Sequence, residues 1–97
     1  MALKVVWSAR AKAERKAILR FFLERNGNPN YSRELAKHLD TGMRLVAGQE
    51  LLGRTTEVPK VRCLFVLNYS LFYSLIENSV VVASLWDNRQ DPEKRPF

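Results

Sequence analysis

Residues 61–76 read VRCLFVLNYSLFYSLI, and this stretch decides the fold. From Cys63 to Ile76 there is no charged residue, and apolar side chains fill both alternating sets, Cys63, Phe65 and Leu67 against Leu64 and Val66. A strand with one wet face alternates, whereas a run that is apolar at nearly every position is buried on both faces or covered by a partner. Asn68 interrupts the run, Glu77-Asn78-Ser79 interrupts it again, and Val80 to Trp86 repeats the composition. Residues 61–86 therefore read as three consecutive strands joined by short turns.

Upstream of Gly53 the pattern is helical. Tyr31, Leu35, Leu39, Met43 and Val46 recur at steps of four, four, four and three, one continuous apolar stripe on a helix from Pro29 to Gln49. Gly42 inside it costs about 1 kcal/mol relative to Ala, so a break near Thr41-Gly42 is compatible with the pattern but not required. An earlier helix runs from Ala9 to Arg25, with Ala11, Ile18, Leu19, Phe22 and Leu23 at helical spacing and Arg10, Lys12, Arg15, Lys16 and Arg20 between them. Ser8 is placed to cap it, and Asn26-Gly27-Asn28-Pro29 stops it, with Asn28 and Pro29 as cap and first residue of the next helix. Leu3 to Trp7 reads as a short first strand, and the polar tail Asp87 to Phe97, with Pro92 and Pro96, reads as irregular. The order β-α-α-β-β-β predicts a single α+β domain over residues 1–97, an antiparallel sheet with a helical hairpin packed on one face.

Composition narrows the function. Of 97 residues 46% are hydrophobic, enough for one core, and no apolar run approaches the ~18 residues of a membrane-spanning helix. The start Met1-Ala2-Leu3-Lys4-Val5-Val6-Trp7 has too short an apolar part for a signal peptide, which points to a cytoplasmic protein with no membrane partner. With Cys63 the only cysteine and His38 the only histidine, the usual zinc sets cannot be assembled, and no phosphate-binding glycine loop is present, so no cofactor is expected. The net charge of +6 lies entirely in residues 1–49, which hold ten Lys/Arg against four Asp/Glu, and suggests an acidic partner or nucleic acid.

Three stretches together resemble one family: ARAKAERKAILRFF over residues 9–22, Val61-Arg62 with Asn68-Tyr69-Ser70-Leu71-Phe72-Tyr73, and Leu85-Trp86-Asp87-Asn88-Arg89-Gln90-Asp91-Pro92. The chain resembles the RelE/ParE superfamily of bacterial type II toxin–antitoxin toxins over nearly its whole length. That resemblance implies a small basic toxin of a plasmid-stabilisation or growth-control module, held inactive by a cognate antitoxin with an acidic, partly disordered segment. It implies one of two targets, DNA gyrase for ParE-like members or mRNA on the ribosome for RelE-like ones.

Cleavage of RNA through its 2′-hydroxyl needs a base, an acid and cations for the developing phosphorane charge. Where the ribonucleases commonly place an Arg at the start of the strand ending in Tyr, this chain has Ser70. Where some place lysines on the preceding strand it has Cys63, Leu64 and Phe65, with only Lys60 and Arg62 at its beginning. Arg89 matches the Arg after the final strand, but the tail beyond it supplies no Tyr or His. The resemblance thus favours the ParE-like, non-hydrolytic branch, with a ribosome-dependent endoribonuclease as the alternative and a basic nucleic-acid-binding module behind both.

Turns centred on Asn68 and Asn78 would set Ser70 opposite Trp86, bring Arg89 beside Asn68 and Tyr69, and leave Arg62 near Leu75. The candidate cluster is therefore Tyr69, Ser70, Asp87 and Arg89, with Lys60, Arg62 and Tyr73 as secondary candidates. Tyr73 also reads as a core aromatic with its hydroxyl tied to backbone, Asp87 and Arg89 as a simple ion pair, and His38 as a solvated helix residue.

Overall fold

The computed structural model describes residues 3–97; the leading Met1 and Ala2 lie outside the described residues. Strand β1 (Lys4–Trp7) leads into helices α1 (Ala9–Asn26) and α2 (Asn30–Gly48), followed by β2 (Arg54–Thr55), β3 (Arg62–Val66), β4 (Tyr69–Ile76) and β5 (Ser79–Asp87). The five strands form one sheet in the order β1-β5-β4-β3-β2. Neighbours pair antiparallel except β1, which lies parallel to β5 because the whole helical hairpin intervenes between β1 and the rest of the sheet. The α+β arrangement is as read from the sequence. The parallel edge and the two-residue strand β2 are features that apolar patterning does not mark.

Both helix ends follow local chemistry. Ser8 Oγ accepts the Ala11 N–H at 3.1 Å, and Gly27, at φ 71°, closes α1 by donating its N–H to Leu23 O at 3.1 Å. At the start of α2 the sequence expectation is off by one residue. Pro29 itself is the cap position, and Asn28 Oδ1 accepts the Asn30 N–H at 3.1 Å. The helix runs unbroken through Gly42, where a Cβ would stand 2.9 Å from Val66 Cγ2 and 3.2 Å from Leu64 Cδ2. Glycine is there because α2 crosses β3 at that point.

The hairpin covers one sheet face. Leu35, Leu39, Met43 and Val46 of α2 and Ala11 of α1 meet Tyr69, Leu71, Tyr73, Val80, Val82 and Leu85 in the main core. Arg15 ties the helices together, donating to both Asp40 carboxylate oxygens at 2.7 and 3.1 Å while lying 4.7 Å from the Trp7 ring centre. The opposite face carries a smaller cluster of Val61, Cys63 and Phe72, covered by Trp86 and by Phe97 of the tail, whose ring lies 5.1 Å from that of Phe72. The tail is thus not simply irregular: a 3₁₀ turn at Pro92–Lys94, capped by Asp91, brings residue 97 back over the sheet. The charge-free strands are buried on both faces chiefly in the first half of β4, where Tyr69 to Tyr73 are all buried.

Register follows from the turns. The β3–β4 hairpin turns on Leu67 and Asn68 alone, with Leu67 at φ 54°, so Arg62 faces Tyr73 and not Leu75. The β4–β5 hairpin turns on Glu77 and Asn78, and a bulge opposite Phe72/Tyr73 inserts one extra residue, so Ser70 does face Trp86.

Candidate functional site

Tyr69 opens β4 and pairs with Asp87, the last residue of β5. Directly after that pair the chain turns tightly: the Asn88 N–H donates to Asn68 O at 2.9 Å and the Gln90 N–H to Asp87 O at 3.0 Å. The Asp87 carboxylate folds back over this turn. Its Oδ1 accepts the Arg89 backbone N–H at 2.9 Å and Arg89 Nε at 3.0 Å, while Oδ2 accepts Nη2 at 2.9 Å. Arg89 Nη2 also donates to the Tyr69 hydroxyl at 3.2 Å. The guanidinium is therefore held as a planar fork, half exposed, at a fixed place above the end of the sheet.

The electrostatics of the three residues are coupled. The Arg89 hydrogen bonds hold the Asp87 carboxyl below its ordinary range, and Asp87 in turn pushes the guanidinium up. Burial pushes the Tyr69 phenol up against the lowering effect of Arg89, so it stays protonated near neutrality. Helix α1 supplies the other wall. A groove of about 290 Å³ lies between Tyr69, Asp87, Arg89 and Gln90 on one side and Ala17, Ile18, Phe21 and Phe22 on the other.

Tyr69, Asp87 and Arg89 are thus brought together, as the pairing argument expects. Ser70 is not with them. Alternation turns its side chain to the opposite sheet face, where it is fully buried and its Oγ donates to Asn88 Oδ1 at 2.7 Å. It acts on the turn that carries Arg89 from beneath.

The secondary candidates form a separate group. Arg62 Nη1 donates to Gly53 O at 2.8 Å. Tyr73 is buried, its hydroxyl donating to Glu50 O at 2.9 Å and accepting the Gly53 N–H at 2.8 Å. It therefore has the core role with a backbone-tied hydroxyl. Lys60, at φ 66°, stands on the exposed loop before β3. These three line a groove of about 480 Å³. From Tyr69 to Tyr73 is four residues of β4, roughly 13 Å, so the two groups do not converge on one small ligand.

Two participants were not marked in the sequence. Phe21 is 54% exposed, its ring edge-on to Phe22 at 5.1 Å. Three consecutive apolar residues, Phe21-Phe22-Leu23, span more of the helix circumference than one buried face holds, so that run is the available signal. Glu14, one of the charged residues of α1, turns inward. Its Oε1 accepts Ser84 Oγ at 2.9 Å and the Leu85 N–H at 3.0 Å. Strand β1 ends at Trp7, opposite Val82, so it offers Leu85 no backbone partner, and the carboxylate fills that place.

Comparison with known proteins agrees with this architecture. No curated protein sequence matches the chain. Among solved structures it is similar to one described as "Chromosomal ParDE TA system from P. aeruginosa", with a TM-score of 0.74 and 18% identity, covering 87% of this chain and 94% of that one. Residues 5–92 match the profile of the family described as "ParE toxin of type II toxin-antitoxin system, parDE". The match runs from Val5 in β1 through both helices and strands β2 to β5 to beyond the Arg89 turn. The chain belongs to the ParE toxin family of type II toxin–antitoxin systems.

Proposed function

We propose that this toxin arrests growth by binding, not by cleaving RNA: it docks on DNA gyrase in the cytoplasm through the groove between Phe21 and Arg89. A toxin of this family has a cognate antitoxin. Here that partner neutralises the toxin with an acidic segment, disordered when alone, that matches the +6 charge and folds as it binds. What supports the binding reading most is the protonation state of the groove. Asp87, its one carboxylate, is committed to Arg89 and held below its ordinary range, which makes it a poor base. Tyr69 is buried and protonated, and Arg89 itself donates to both. Among the described residues, no Lys, His or Glu lines this groove. An exposed aromatic beside a preorganised arginine is, by contrast, the composition of a protein-binding hot spot.

The test is controlled expression in bacteria with message-cleavage mapping and a DNA-damage reporter read from one culture. Growth arrest with the damage response and intact messages is the expected result. Codon-phased cuts in mRNA without a damage response would overturn the proposal in favour of a ribosome-dependent ribonuclease.

A further inference from the structure

We propose that the outer face of α1 binds the sugar–phosphate backbone of duplex DNA. Lys12, Lys16 and Arg20 follow one another at four-residue steps, all exposed, so their Cα atoms rise along one helix face by about 6 Å per step. Among the described residues none of the three is within ion-pair distance of a carboxylate. Of the neighbouring charges, Glu14, which would offset the row, faces β5, and Arg15 is paired with Asp40. The row is a cationic ridge between two shallow grooves. One, of about 450 Å³, is floored by Leu19 and Leu23; the other, of about 500 Å³, is bordered by Ala13, Ala17, Phe21 and Glu24.

Three evenly spaced point charges, with Glu24 the next residue of the row and its one acid, suit a regular phosphate backbone, whose affinity comes from neutralising successive charges. A single-stranded ligand would call for several stacking rings, and Phe21 alone among the groove-lining residues is aromatic. The choice of DNA over RNA rests on the gyrase target proposed above, since that enzyme holds duplex DNA. Through Phe21 the ridge is continuous with the Arg89 groove, so a toxin docked there would lay its cations along the DNA held by its target.

The experiment measures binding of the purified chain to a random-sequence duplex, without gyrase, as a function of salt. Three phosphate contacts predict a slope of log K on log salt of about −2.7, with weak, sequence-independent affinity at low salt. The triple variant Lys12→Gln/Lys16→Gln/Arg20→Gln, which keeps good helix formers, should bind at least tenfold more weakly with a slope near zero and an unchanged melting curve. A control that removes the same charge elsewhere, Lys4→Gln/Lys60→Gln/Lys94→Gln, should bind far better than the triple variant. Equal losses in the two variants, or none in the first, would overturn the proposal. So would displacement of the DNA by a polyglutamate peptide, or by duplex RNA, at lower concentration than by unlabelled DNA. Gyrase inhibition measured separately distinguishes failure of this proposal from failure of the target assignment.

Discussion

Replacing Tyr73 with Phe removes one oxygen and tests whether that residue is structural or functional. The hydroxyl bridges Glu50 O at 2.9 Å and the Gly53 N–H at 2.8 Å, and Gly53 is buried. Without it the Gly53 N–H has no partner and no access to water, a loss of about 1–3 kcal/mol, whereas the half-buried Glu50 carbonyl can rehydrate. A net loss of about 2 kcal/mol is therefore expected, equivalent to roughly 8–16 °C in Tm for a domain of this size. Urea unfolding followed by circular dichroism would read it as a lower midpoint at unchanged m. Gly53→Ala attacks the same contact from the other side, since its Cβ would stand 2.6 Å from the Tyr73 hydroxyl. The double variant should accordingly cost less than the sum of the singles. Growth inhibition should persist in cells grown cool enough to keep the Phe variant folded. A variant as stable as the parent, or a folded one that is no longer toxic, would refute the assignment.

Arg89→Ala should abolish growth inhibition at a stability cost of no more than about 1 kcal/mol, because the ion pair it breaks is half exposed; full toxicity of the folded variant would remove Arg89 from the site. Stability should fall as pH rises past about 9, because burial raises Cys63 above its ordinary 9.0 and Tyr69 and Tyr73 above 10.0. The unfolded chain then releases protons that the fold retains, so it is favoured at high pH and the stabilisation is complete only below those ordinary values. Asp87 has the opposite sign and loses its contribution only in acid, as pH falls through its depressed value, so stability measured between pH 5 and 8 should be flat with respect to these groups. Binding of the antitoxin should slow hydrogen exchange within residues 61–86, above all in β3, whose outer edge beyond Cys63 is unpaired and whose Phe65 is exposed; unchanged exchange there would place the antitoxin elsewhere.

The fold was legible where hydrophobic periodicity alone determines it. The stripe Leu35, Leu39, Met43, Val46 and the charge-free run to Ile76 translate directly into α2 and the β3–β4 hairpin. What periodicity cannot carry is the count of residues in a turn. With Leu67 in a left-handed conformation the first hairpin closes on two residues and shifts Arg62 by two positions, whereas in the second an extra residue at the bulge compensates and leaves Ser70 opposite Trp86. The partnership of Tyr69, Asp87 and Arg89 followed from that second register. The same alternation that places Tyr69 against α1 sends Ser70 to the other face, and the pattern of buried strands conceals it because both faces are apolar. The inward turn of Glu14 was hidden because it answers a missing backbone partner, which depends on where β1 ends and not on any spacing within α1.

The proposed action of the Phe21–Arg89 groove is to bind an enzyme that works on DNA. Its most direct measurement is a cleavage assay with purified gyrase, supercoiled DNA and the purified chain, run beside its Arg89→Ala and Phe21→Ala variants. Gyrase-linked broken DNA should accumulate with the parent chain, be suppressed by the antitoxin and be absent with either variant. Unperturbed supercoiling by gyrase at saturating toxin, while ribosome-bound messages are cut, would contradict it.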